Sequence, residues 1–317
     1  MDRSVYSSTF VCDNIARRML EARRTSVLDF QEKMVSITSK LGRRISEGRI
    51  VQRQEIVDTV NRLILWLESA DYIANVGVGR MKAASLSTKE DFDISFVLMQ
   101  SDPKAQWLQL CKGRFMVGRK SFQVKISGPT MRIHRHAISR IIHRESLSPE
   151  EFVNTLGDAN NLAVATDDLV RKNGGDTALP YRGGLMVGRV REYGAMLEDG
   201  IVENDLHFEI KRNYEPSLGR LMISSTAPVT EVMTFVSEDT LTDSRQNLRD
   251  DILAATKDRA DIIGVYANWL TLHDSTIVST LKNDPEYLTE QVRAFIEEFK
   301  GVMRGNAWQR FKSRPKG

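Results

Sequence analysis

The chain has 317 residues, 41% of them hydrophobic and 27% charged, which excludes a disordered polymer and suits a folded chain with a sizeable core. A net charge of +3 is too small to argue for nucleic acid by itself, so any such argument must come from local clustering. Two cysteines, Cys12 and Cys111, far apart and in no ligand spacing, exclude a disulfide framework and a thiolate zinc site. The start, MDRSVYSSTF, has no charged region leading into an apolar run, and no stretch reaches the ~18 apolar residues of a spanning helix. We therefore expect no membrane partner and a cytoplasmic location.

In chain order, residues 12 to 45 read as one long amphipathic helix with a slack turn near Ala22. Ile15, Met19, Val27, Phe30, Met34, Ile37, Leu41 and Ile45 recur at three- and four-residue steps on either side of that turn. Arg17, Arg18, Arg23 and Arg24 read either as a basic surface or, more plainly, as a solvated helix face near Asp13, Glu21 and Asp29. A second helix follows Gly48, over about 51 to 74, with Val60, Leu63 and Leu67 in its stripe. The pair predicts a helical hairpin, either a dimerisation arm or a packed cap. Alternation then predicts strands at 92–99, 114–119 and 121–127. Asp91 and Asp93 leave or lie in the first of these. They are candidate metal ligands of a nucleotide-handling site, although GVGRMKAAS only loosely imitates a phosphate turn.

The stretch MRIHRHAISRIIHRE, 131 to 145, carries the strongest signal. Read as a helix entered from Gly128 and Pro129, it places Ala137, Ile138, Ile141 and Ile142 on one side. His136, Arg140, His143 and Arg144 fall on the other. Such a row of donors suits phosphate, because arginine binds it bidentately and imidazole titrates near neutrality. His134 and His136 would point to different sides of a helix, so an HxH metal pair is disfavoured, and we expect neither metal nor cofactor. LSPEEFVNTLG, 147 to 157, predicts a short helix with Ser148 as cap and Pro149 first. Residues 158 to 180 read as a loop with a short helical piece, turning at Asn173–Gly175. Strands at 183–192, 205–214 and 220–227 predict a meander. Beyond about 236 the chain is helical: one bent helix or two over 244–272, another over 284–303, and a fraying basic tail with Lys312, Arg314 and Lys316. His273–Asp274 lacks a nucleophile elbow and reads as surface.

The pattern HAISRIIHR, followed by LSPEEF and by strands reading GLMVGRV, HFEIKR and LMISST, resembles the small bacterial domains of the BrnT-like and DUF4258 type. These are related in fold to RelE-like toxins. The resemblance spans roughly 131 to 227. It implies metal-independent ribonuclease activity and a role as a toxin or phage-defence effector. Such cleavage needs a base, an acid and cations around the phosphorane. His136 and His207 are the candidates for base and acid, with Arg140, Arg144 and Lys211 holding the phosphate. Arg132, Arg135, His143 and Arg220 are candidates for binding nucleic acid, and Tyr181 or Tyr214 for stacking on a base.

The expected fold is α+β in three regions: a helical hairpin at 1–76, an antiparallel sheet with the basic helix at 77–232, and a helical region at 233–317. The expected function is nucleic-acid-directed, as such a ribonuclease acting on RNA. The alternative is a non-enzymatic module that binds nucleic acid and associates with itself or a partner protein through its helical flanks.

Overall fold

The computed structural model describes residues 8–80, 92–102, 104–192, 228–272 and 285–312, and of 206–211 and 217–220 the backbone path alone. The class is α+β, with helices at both ends of the chain. Among the described residues a nine-stranded sheet lies between two helical layers, each with its own core.

Three helices, not two, open the chain: α1 (Thr9–Ala22), α2 (Ser26–Ser46) and α3 (Arg53–Ser69). The slack turn read near Ala22 is a full break, and Arg23 causes it. Its side chain, only 6% exposed, donates to the carbonyls of Met19 (2.9 Å) and Asp71. Its own carbonyl accepts from Ser26 Oγ and from the Ser101 amide. Arg23 is thus a buried clamp rather than part of a basic surface. The stripes read on α2 and α3 are buried as expected, and an ion pair of 2.7 Å between Arg44 and Glu55 ties the two helices at their junction. They form a packed cap over one face of the sheet.

Strands β1 (Ile73–Arg80), β2 (Phe92–Ser101), β3 (Trp107–Val117) and β4 (Ser121–His134) pair in succession, all antiparallel. Alternation sends Ile94, Phe96 and Leu98 toward α2 and α3, and Val97 and Met99 to the other core. Phe96 stacks with Phe30 and contacts Phe115, both with centroids 5.3 Å apart. The residue opposite Phe96 on β3 is Gly113, and the ring fills the space a side chain would take.

Strand β4 is longer than predicted. Gly128 and Pro129 lie within it, at a register shift, and Met131–His134 are strand rather than helix. Met131 and Ile133 alternate into the core, a period-two signal hidden inside the helical pattern that follows. Helix α4 (Arg135–Glu145) then starts four residues later than the stretch read as helical. Helix α5 (Pro149–Asn154) bears out its signals, with a full capping box between Ser148 and Glu151. The loop expected over 158–180 is instead helix α6 (Leu156–Lys172) and strand β5 (Asp176–Tyr181). Buried Asn160 and Asp167 interrupt the apolar period of α6, so its buried side does not look apolar.

Strand β6 (Gly184–Glu192) pairs with β5 across a two-residue turn at Arg182 (φ 49°) and Gly183, the cheapest loop to close. Strands β7 (Leu206–Lys211) and β8 (Ser217–Arg220) pair with each other, and β7 with the first half of β4. The expected meander is therefore not formed: β6 and β7 are not neighbours, and 221–227 lies outside the described residues. Strand β9 (Pro228–Val236), unforeseen in the sequence, runs between β4 and β6, and the boundary placed at 232 cuts through it. The C-terminal helices are α7 (Asp243–Thr256), α8 (Ala260–Leu272), α9 (Pro285–Arg304) and α10 (Asn306–Lys312). The 244–272 stretch is two helices, parted by Asp258 at φ 58°. The tail does not fray at Trp308, which is buried against Phe299. Arg314 and Lys316 lie outside the described residues.

Two ionisable groups are sealed between the sheet and α6. Lys112 Nζ donates to the Oδ1 atoms of Asn161 (2.5 Å) and Asn268 (2.8 Å), and burial pulls its ammonium down to about 7. Asp167 accepts from the Thr230 hydroxyl, and burial pushes its carboxyl up to about 8.

Two predictions follow from the packing. Gly113→Ala sets a methyl 2.1 Å from the Phe96 ring, so it will lower urea-denaturation stability by about 1–3 kcal/mol. The second concerns pH. Lys112 titrates at 10.5 when unfolded and about 7 when folded, so its contribution rises with pH between those values. Asp167 titrates at 3.8 unfolded and about 8 folded, so its contribution falls from 3.8 to 8. Each slope approaches ~1.4 kcal/mol per pH unit within its window. Relative to wild type, Asp167→Asn will remove a fall in unfolding free energy between pH 4 and 7, and Lys112→Met a rise above pH 8.

Candidate nucleic-acid interface

The basic edge is built by the passage from β4 into α4. His134 ends the strand and caps the helix, its Nδ1 accepting from the His136 amide at 3.2 Å. Its ring meets Trp107 edge-on, and the Arg135 amide donates to Gln106 O at 2.7 Å. The inner side of α4, Ala137, Ile138, Ile141 and Ile142, is fully buried, as the spacing predicted. A left-handed residue, Ser146, closes the helix by donating to Ile142 O.

The outer side carries His136, Arg140 and Arg144. Arg140 Nη1 donates to Thr234 Oγ1 at 2.8 Å. Arg144 Nη1 donates to Ser237 Oγ and Thr240 Oγ1, both at 2.9 Å. All three acceptors are uncharged hydroxyls, on β9 and the 3-10 turn after it. Neither guanidinium is paired with a carboxylate among the described residues. Neither arginine forms a salt bridge with the nearby Glu145, Glu150 or Glu151; Glu151 takes part in its capping box. A hydroxyl fixes a guanidinium without neutralising it, so both positive charges stay uncompensated and several of their donors remain available.

The histidines register that field. Burial and then Arg140 hold the His136 imidazole below its ordinary value, with Asp13 opposing. Burial, then His136 and Arg135, do the same to His134. At the far end of α4, burial raises the Glu145 carboxyl, assisted by Glu238 and Asp239 and opposed by Arg182. The basic edge thus gives way to an acidic margin.

The other candidate residues are dispersed. Arg132 is a strand residue, buried, paired with Glu231 at 3.1 Å and lying over the Trp107 ring at 4.4 Å, so it cannot reach nucleic acid. Arg135 pairs with Asp13 on α1 at 3.3 Å. His143 is half-buried on α4. Tyr181 is buried between Phe152 and Phe235, its hydroxyl bonded to Thr155, which removes it as a stacking platform. His207 lies opposite Lys125, and Lys211 opposite Ser121. Lys125 and His134 stand nine positions apart on β4, roughly 30 Å at ~3.3 Å per residue. The backbone therefore does not bring His136 and His207 together as base and acid. Arg220 lies in β8, whose side chains are outside the described residues, as are Tyr214, Asp91, His273 and Asp274. Asp93 is held in a two-pronged pair by Arg114, and no group of three potential ligands occurs among the described residues. No described helix is long and apolar enough to cross a membrane.

Comparison with protein-family models, with curated proteins and with solved structures returned no match. Thr234, Ser237 and Thr240, the seats of the arginines, were missed in the sequence. They lie more than 90 residues from their partners, and nothing local to TFVSEDT announces them.

Because Arg140 depresses the imidazole, the NMR titration midpoint of His136 will fall below 6.5 in wild type and rise in Arg140→Ala. An unchanged midpoint in the variant would remove the electrostatic coupling.

Proposed function

We propose that the chain is a nucleic-acid-binding protein that grips a phosphate backbone along the outer side of α4, with Arg140 and Arg144 as its principal contacts. The observation that carries this is their seating on Thr234, Ser237 and Thr240, which orders both guanidinium groups and leaves both charged. Structural arginines are ordinarily paired with acids; arginines held by neutral groups are ready for an anionic partner at little ordering cost. His136, exposed at the start of the row, adds a donor and, at lower pH, a third charge.

The choice of RNA over duplex DNA rests on the resemblance of HAISRIIHR to BrnT-like and RelE-like toxin domains, which also supports a cytoplasmic effector role in toxicity or phage defence. Binding is favoured over metal-independent cleavage. Cleavage needs a second acid–base group beside His136, and the register sets His207 at the other end of β4.

Fluorescence anisotropy with a labelled single-stranded RNA, titrated across a range of KCl concentrations, tests the reading. For single strands the slope of log K against log salt is about −0.7 per phosphate neutralised. The double variant Arg140→Ala/Arg144→Ala will lose about 1.4 of that slope, whereas Arg17→Ala, on the outer side of α1, will lose none. Equal slopes in wild type and double variant would refute the proposal. RNA cleavage in EDTA that disappears in His136→Ala would restore the nuclease reading.

A further inference from the structure

Phe10, in the first turn of α1, is 76% exposed. The buried side of that helix is Cys12, Ala16, Met19 and Leu20, and Phe10 stands away from it. A single exposed apolar side chain is ordinary. This one has a particular place. Asp13 lies one turn further along the same flank of α1, with its Cβ about 5–6 Å from that of Phe10. Asp13 pairs with Arg135 at 3.3 Å and opposes the lowering of the His136 imidazole, so it stands close to both. Those two residues open α4, and Arg140 and Arg144 follow His136 at one-turn steps on its outer side. An exposed ring and a row of donors thus adjoin through Asp13, whose charge Arg135 offsets. The neighbours of Phe10 along its side of α1 are Asp13, Asn14 and Arg17, all polar. The apolar surface there is one ring wide, far short of what a protein interface buries.

We infer that Phe10 stacks on an unpaired nucleobase of the strand whose phosphates α4 holds. This rests on the phosphate grip proposed above and adds base recognition to it. A row of arginines meets the same phosphate group on a duplex and on a single strand. A ring separates them, because a paired base is covered on both faces by its neighbours, whereas an unpaired base offers a face to an aromatic side chain. Tyr181, the other aromatic considered for this role, is buried. Every base has such a face, so the contact selects single strands and not a sequence. Phenylalanine carries no charge or hydrogen-bonding group, so it adds affinity without adding salt dependence.

Fluorescence anisotropy of the full chain with two labelled strands of about ten nucleotides, oligouridylate and an abasic strand with the same sugars and phosphates, tests this. Wild type is expected to bind oligouridylate at least about fivefold tighter than the abasic strand. Phe10→Ala will bind both strands alike, at the wild-type affinity for the abasic strand and with the wild-type salt slope. Phe10→Trp will keep the preference. Phe10→Leu, with bulk but no ring face, will lose it. The position is exposed, so folding is not at stake. Equal binding of the two strands by wild type overturns the inference. So does a preference that survives Phe10→Ala or Phe10→Leu, or one that Phe10→Trp abolishes. In those cases the phosphate grip is judged separately, by the salt slope of Arg140→Ala/Arg144→Ala on the abasic strand. Binding of neither strand by wild type overturns both.

Discussion

Glu231 joins the two parts of the sheet. Among the described residues, the run β1 to β4 meets the run β9, β6, β5 only where Met131–Ile133 lie parallel to Thr230–Val232. Three residue pairs make a short seam. At its centre Arg132 stands opposite Glu231, which takes Arg132 on one oxygen and Arg191 of β6 on the other, at 3.1 and 2.9 Å. One buried carboxylate thereby ties three adjacent strands. Buried ion pairs are often no better than apolar packing, but a carboxylate shared by two guanidinium groups has both oxygens answered. Removing it would strand a buried Arg132, a loss on the order of 3–5 kcal/mol. The Trp107 ring over Arg132 adds to the same cluster.

The seam also makes the basic edge. Strand β4 leads directly into α4, which brings Arg140 and Arg144; β9 brings Thr234 and, at its end, Ser237. The spacing between helix and strand is set by the register of Arg132 against Glu231. A one-residue slip would swap the faces of β9 and withdraw the hydroxyls. The arginine that the sequence marked for binding, Arg132, acts instead through structure: it holds the frame that presents its two neighbours on α4.

Sequence periodicity was informative wherever burial followed a simple rule. The stripes of α2, α3 and α4 and the capping box of α5 were legible because one face is apolar and one polar, or because the cap is local. Legibility failed at three kinds of place. Polar groups buried in pairs, such as Asn160 with Thr130 and Asp167 with Thr230, concealed helix α6. A strand running straight into a helix concealed the start of α4, since Met131 and Ile133 fit either period. Pairings distant in the chain, β4 with β9 and α4 with its hydroxyl seats, left no local trace. Of the proposed site, the positive half could be read from spacing, while the neutral half that keeps it charged could not.

The seam has a kinetic meaning as well. Strands β1 to β4 follow one another in the chain, so their contacts can form while the rest is still unfolded. Arg132 and Glu231 are 99 residues apart, and bringing them together closes a long loop for only three ladder pairs. In the native state β9 is also held by its long antiparallel pairing with β6 and by packing against α6, which supplement the three-pair seam. Before that loop closes, Arg140 and Arg144 sit on a helix with nothing to orient them. A chain in which β9 has not yet docked therefore carries the positive charge of α4 without the hydroxyl seats that order it.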